Sequence, residues 1–238
     1  LMALGCFNKS FAQKTVLTVP TGHLSTPKQI AVSPNGNWMA SVDDKHLIIW
    51  NAFTGAQIRN YNLERNVESI SWFPDNNRLA VMTNNYPVDS LFKINITTGF
   101  REGKATAVKE AYRMKVSNNG KYYLVSEIEG GVFVIDAENN EVVQKILPES
   151  KKMGLYVITT PDERYCLAGE IKTLSVSTFE PGVGDATRKS KVLFKTKPPF
   201  GELRRRSFSP DSKYVVALVG PDFGIICFDV LRIKIEFR

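Results

Sequence analysis

Five short turn motifs recur through the chain at a nearly constant interval. They are Ser33-Pro34-Asn35-Gly36, Phe73-Pro74-Asp75-Asn76, Ser117-Asn118-Asn119-Gly120, Thr160-Pro161-Asp162-Glu163 and Ser209-Pro210-Asp211-Ser212. Their second residues stand at 34, 74, 118, 161 and 210, a period of about 40–45 residues that marks one repeated supersecondary unit. Proline presets φ at the second position of a tight turn, and Asn or Gly accepts the unusual φ that follows. An alternating run precedes each turn (Ile30 and Val32, Ile70 and Trp72, Met114 and Val116, Val157, Phe208), and an extended run follows it. Third runs over 47–50, 91–95, 132–136, 173–177 and 225–229 complete a strand pattern. Residues 57–61 and 231–237 read as fourth strands of the first and last units. Four short antiparallel strands bury too little alone and must stack on neighbours. The chain is therefore expected to be all-β, with five four-stranded units over about 14–63, 64–105, 106–148, 149–197 and 198–238.

The unit at 22–51 is the fullest. Gly22-His23, Ser33-Pro34-Asn35-Gly36 and Trp50-Asn51 resemble the GH, SPDG and WD marks of the WD-repeat β-propeller family. Later units keep the turn and the strands, and Ile135-Asp136 and Phe228-Asp229 stand where the WD pair would be. The resemblance, to a divergent type exported by bacteria, implies a β-propeller of four-stranded blades, usually seven. It also implies a buried chain of His, Ser, Asp and Trp bracing the blade. Carried over by position, that chain is His23, Asp44 and Trp50. The Ser position falls on Ala40, with Ser41 beside it, so the brace is expected to be incomplete. In this family a strand such as 14–21 closes the ring by completing the last blade. The last unit already has a fourth strand, so a segment of a ring of about seven blades is expected, with five-bladed closure as the alternative.

In such a propeller the ready-made site is the face where the inner strands begin around the central channel. Six residues before each anchor stand Lys28, Glu68, Tyr112, Leu155 and Arg204. This mixture suits protein recognition, where aromatics and Arg serve as anchors. Arg206 breaks the pattern by occupying an apolar slot of its inner strand.

Residues 1–13 read differently. Leu1 to Phe7 is apolar and Ser10-Phe11-Ala12 resembles a small-x-small cleavage site, the tail of a signal peptide. An exported protein, periplasmic or extracellular, is expected, with acylation at Cys6 as a lesser reading. No apolar run reaches the roughly 18 residues of a membrane span. The related exported proteins can carry a further module after the repeats, and these 238 residues contain none.

Little points to catalysis. His23 and His46 are the chain's two histidines, and no His/Cys/carboxylate cluster has metal-ligand spacing. His46 reads as a solvated turn residue, and Cys166 and Cys227 as thiols within strands. Gly-x-Ser-x-Gly, Walker and dinucleotide signatures do not occur. Enzymatic propellers, lactonase-like or quinoprotein-like, ring their channel with several His, Asp and Glu. The expectation is a module without enzymatic activity or cofactor that binds protein or peptide, with a lactonase-like or quinoprotein-like enzyme as the alternative. The net charge of +7 and the run Arg204-Arg205-Arg206 raise a second alternative, a basic module for anionic ligands. No aromatic residues interleave these cations for base stacking, so nucleic acid is not expected.

Overall fold

A computed structural model of the chain describes residues 22–84, 88–109, 111–127, 131–146, 156–170, 173–181, 192–196, 203–219, 224–230 and 235–237. The leader at 1–13, the strand expected at 14–21 and Leu155 lie outside the described residues. Among the described residues, twenty strands form five antiparallel sheets of four. The first contains β1 (Gln29–Val32), β2 (Trp38–Val42), β3 (His46–Asn51) and β4 (Gln57–Asn62). The second contains β5 (Asn66–Trp72), β6 (Arg78–Asn84), β7 (Val88–Asn95) and β8 (Arg101–Lys109). The third contains β9 (Ala111–Val116), β10 (Tyr122–Glu127), β11 (Val132–Asp136) and β12 (Val142–Ile146). The fourth contains β13 (Tyr156–Thr159), β14 (Tyr165–Glu170), β15 (Thr173–Thr178) and β16 (Val192–Thr196). The fifth contains β17 (Leu203–Phe208), β18 (Tyr214–Val219), β19 (Gly224–Asp229) and β20 (Ile235–Phe237). Each sheet is a meander in sequence order, and the first strands β1, β5, β9 and β13 neighbour one another in that order. This is a β-propeller blade plan.

The recurring turns are built alike because the same atoms close them. Ser33, Ser117, Thr160 and Ser209 each accept a backbone N–H from five residues on, at 2.9–3.1 Å. The same four hydroxyls donate to the Asn or Asp two residues later. Phe73 replaces the hydroxyl in the second unit, and there Asp75 is held by Arg78 instead. The residue after the Asn or Asp is Gly36, Asn76, Gly120, Glu163 or Ser212, and all five have φ between 55° and 75°. Where that residue has a side chain, it ties adjacent blades together. The backbone N–H of Asn35 donates to Asn76 Oδ1 (2.7 Å), that of Asn119 to Glu163 Oε1 (3.1 Å) and that of Asp162 to Ser212 Oγ (3.2 Å).

Gly120 is the exception, because a Cβ there would sit 2.9 Å from the ring of Pro74. Gly36 has the same backbone, φ +75, with open space around it. Gly36→Ala should therefore cost only the left-handed penalty, about 1–2 kcal/mol. Gly120→Ala should add an overpacking cost of about 1–3 kcal/mol. Denaturant midpoints of the two variants check the difference, and equal losses would contradict the Pro74 contact.

Inner-strand edges would expose unpaired backbone groups at the axis, and neighbouring side chains satisfy several of them. The Gln29 amide donates to Ile70 O and accepts from Ile70 N, both at 3.0 Å. Trp72 Nε1 donates to Ala31 O. Ser69 Oγ bridges Met114 O and N, and Ser71 Oγ accepts from Val116 N. At the rim, Arg59 donates to Ile96 O and Thr97 O of the second blade, and Lys93 Nζ to Ala137 O of the third. Gln144 pairs with Thr178 and Glu180 of the fourth.

The core is interleaved between blades. Leu47 and Ile49 pack with Ile70, Trp72 and Val81, while Met82 and Leu91 pack with Met114, Tyr123 and Val125. Middle strands such as β6 are buried on both faces, which explains their continuous apolar runs. The outermost faces of the array differ. Ile30 and Val32 on the first blade and Val216 and Ile225 on the fifth are exposed.

Candidate functional site

Two places in this frame concentrate polar chemistry: a buried brace in the first blade and the inner strands around the axis. The brace begins where β2 runs into its turn. Asp43, 1% exposed, accepts backbone N–H groups of Lys45 (2.9 Å) and His46 (2.7 Å), closing an Asx turn. Trp50 Nε1, which can only donate, donates to Ser41 Oγ at 2.7 Å. The Ser41 hydroxyl is then free to donate to His23 Nε2, 2.6 Å away. That assignment leaves the proton on His23 Nδ1, which faces Asp43 Oδ2 at 3.2 Å, close in distance though bent in angle. His46 Nδ1 approaches the other carboxylate oxygen at 3.2 Å. Burial alone would raise the Asp43 pKa, but the N–H groups of His46 and Lys45 and the His23 imidazole hold it well below the usual carboxylate range.

This corrects three expectations. The acid of the brace is Asp43, not Asp44, whose half-exposed carboxylate pairs with Lys28 Nζ at 2.5 Å. The hydroxyl is Ser41, so the chain is complete. Ala40 lies opposite Ile49 and points into the core between the first two blades, whereas Ser41 and Trp50 share the other face. An offset of one residue along a strand exchanges the faces. His46 is not a solvated turn residue but packs against Asp43, with 21% of its side chain exposed. Asp43 also accepts the Leu24 N–H at 3.3 Å, so it is occupied by two imidazoles and three N–H groups, and no trio of His, Cys, Asp or Glu among the described residues is arranged to hold a metal.

Of the five residues expected at the mouth, Lys28, Glu68 and Tyr112 are described. Glu68 is the extra residue of a bulge between Val67 and Ser69, and Tyr112 that of a bulge between Ala111 and Arg113. The Arg204 side chain lies outside the described part, but its backbone falls in the corresponding register shift between Leu203 and Arg206. The count back from the anchor therefore landed on a recurring bulge, a device that re-aims a side chain. Lys28 feels the charges of Asp44 and Glu68 together. Asn84 donates to Glu68, and the Arg113 guanidinium stacks 5.2 Å from the Tyr112 ring.

A cavity of about 610 Å³ lies between the inner strands, and Lys28, Glu68 and Tyr112 do not line it. Its walls include Pro34, Pro74, Ser117 and Asn118, so it opens toward the turn end, and Arg113 and Lys115 line it. The sequence reading missed it. The available signal was the alternation in β9, where Arg113 and Lys115 interleave with buried Met114 and Val116.

Comparison with known proteins agrees with this geometry. Residues 14–51 match the model of the WD domain, G-beta repeat. The ribosome biogenesis protein ERB1 of Debaryomyces hansenii is 34% identical over 67 residues, which is 25% of this chain and 8% of that protein. Among solved structures, Kuenenia stuttgartiensis hydrazine synthase superposes with a TM-score of 0.66 at 19% identity, over 90% of this chain and 66% of that one. The Swd1 β-propeller domain of Myceliophteria thermophila gives 0.59 at 13% identity, over 89% and 85%. The chain has a β-propeller fold whose first blade matches the WD repeat, and identities this low speak to fold alone.

Proposed function

We propose that this β-propeller is a non-enzymatic interaction module that binds a protein or peptide partner across the ends of its inner strands. The observation that carries the reading is the recurring bulge, which sets Glu68 and Tyr112 apart from the regular alternation beside Lys28. Bulges are enriched where a fold re-aims side chains toward a site, and the braces between blades give that site a rigid support. WD propellers generally bind proteins, which favours this reading over catalysis. The apolar residues 1–7 favour an exported protein.

Panning a random peptide library on the purified chain tests the proposal. A consensus sequence should be enriched, and its binding should fall at least tenfold in Tyr112→Ala or in the charge reversals Lys28→Glu and Glu68→Lys, as hot-spot losses do. Absence of any enriched sequence, together with turnover of a lactone substrate, would replace the module with an enzyme.

A further inference from the structure

The cavity at the turn end of the inner strands is lined by two cations and no carboxylate. In β9, Met114 and Val116 enter the core against the second blade, and Arg113 and Lys115 stand on the opposite side. The polar groups around them are already engaged. The Gln29 amide is spent on Ile70, Ser69 and Ser71 on the backbone of β9, Ser117 on Asn119 and Tyr122, and Asn118 Nδ2 on Thr160.

Lys115 is left over. It has no ion-pair partner among the described residues. Glu163, the acid whose charge it feels, spends Oε1 on the Asn119 N–H. Its other neighbour, the buried Cys166 thiol, is pushed up to about 12 by burial and supplies no negative charge. Burial in turn lowers the Lys115 pKa. With only the charge of Glu163 near it among the described residues, this partly buried ammonium can take a second counter-charge from an arriving anion. Arg113, exposed beside it and steadied by Tyr112, adds a fork suited to an oxyanion. Beside these engaged polar groups the wall carries the apolar side chains of Val32, Pro34, Trp72 and Pro74. Its volume of about 610 Å³ falls in the usual range for ligand sites.

We propose that this cavity is a second binding site, which takes the carboxylate of an acidic side chain on Lys115 and Arg113 while the apolar neighbours of that side chain pack on Pro34, Pro74 and Trp72. The site goes beyond the strand-end reading, since it needs no contact with Lys28, Glu68 or Tyr112. Fluorescence anisotropy with a labelled hexapeptide of alternating leucine and glutamate tests it, with the glutamine counterpart and inorganic phosphate as the other arms.

The glutamate peptide should bind at least tenfold more tightly than the glutamine peptide. Lys115→Met should lose at least tenfold while the protein still unfolds in one cooperative thermal transition. Arg113→Gln, at an exposed position that cannot threaten the fold, should lose several-fold. Equal binding of both peptides, or unchanged binding in Lys115→Met, would overturn the site. Phosphate displacing the peptide at the same concentration as free glutamate would assign a free anion instead and overturn the peptide ligand. Loss in Lys28→Glu or Glu68→Lys alone would move the peptide to the strand ends, overturning the cavity site while leaving the proposed function standing.

Discussion

Trp50→Ala is expected to destabilise the protein by about 3–5 kcal/mol, the range for removing a large aromatic from a packed site. The loss has two parts. The indole packs beside His23, with ring centroids 6.5 Å apart, and its N–H is the donor that orients Ser41 Oγ toward His23. Trp50→Phe keeps most of the apolar volume but removes the donor, so it should recover more than half of the loss. Thermal or denaturant unfolding of the three proteins measures this. A change within about 0.5 kcal/mol for Trp50→Ala, typical of an ordinary surface position, would contradict the brace.

Asp43→Ala is expected to cost on the order of 3 kcal/mol, since three backbone N–H groups and two imidazoles lose a charged acceptor in a buried place. Asp44→Ala should be indistinguishable from the parent, because its pairing with Lys28 is solvent-exposed. The pair of variants reads the register directly. Acid sensitivity follows from the same carboxylate. Its folded pKa lies below the unfolded value of about 3.9, so its stabilisation is fully present above that value. It is lost as pH falls from there through the folded pKa. Below about pH 4, Asp43→Asn should lose less stability per pH unit than the parent, and parallel curves would contradict the assignment.

The period of the turns and the all-β plan were legible because turn chemistry is local. Pro, Asn and Gly announce a bend wherever they stand, and all five bends formed with the same left-handed residue. What counting could not deliver was phase. From Trp50 and the turn alone, Asp43 and Asp44 are equivalent, and Ala40 and Ser41 differ by one residue. Only the pairing of Ser41 with Ile48 shows which one shares the Trp50 face. Glu68 and Tyr112 were reached for a related reason. A fixed offset from the turn found them, but their bulges carry no mark in a single sequence. Arg206 signalled that its strand was irregular, and a register shift does precede it. Lys115 was overlooked because a lysine in an inner strand looks like solvated alternation until the neighbouring blade closes over it.

Short-range cross-linking between turns tests the stacking of like sheets about one axis most directly. Cysteines are introduced in pairs on a background of Cys6→Ser and Cys227→Ser and treated with a short bifunctional maleimide. Asn35→Cys with Asn76→Cys, and Asn119→Cys with Glu163→Cys, should couple rapidly, since in each pair one turn donates to the other across adjacent blades. Asn35→Cys with Glu163→Cys, on the first and fourth sheets, should not couple. Equal coupling of all three pairs, or coupling of the distant pair alone, would contradict the arrangement.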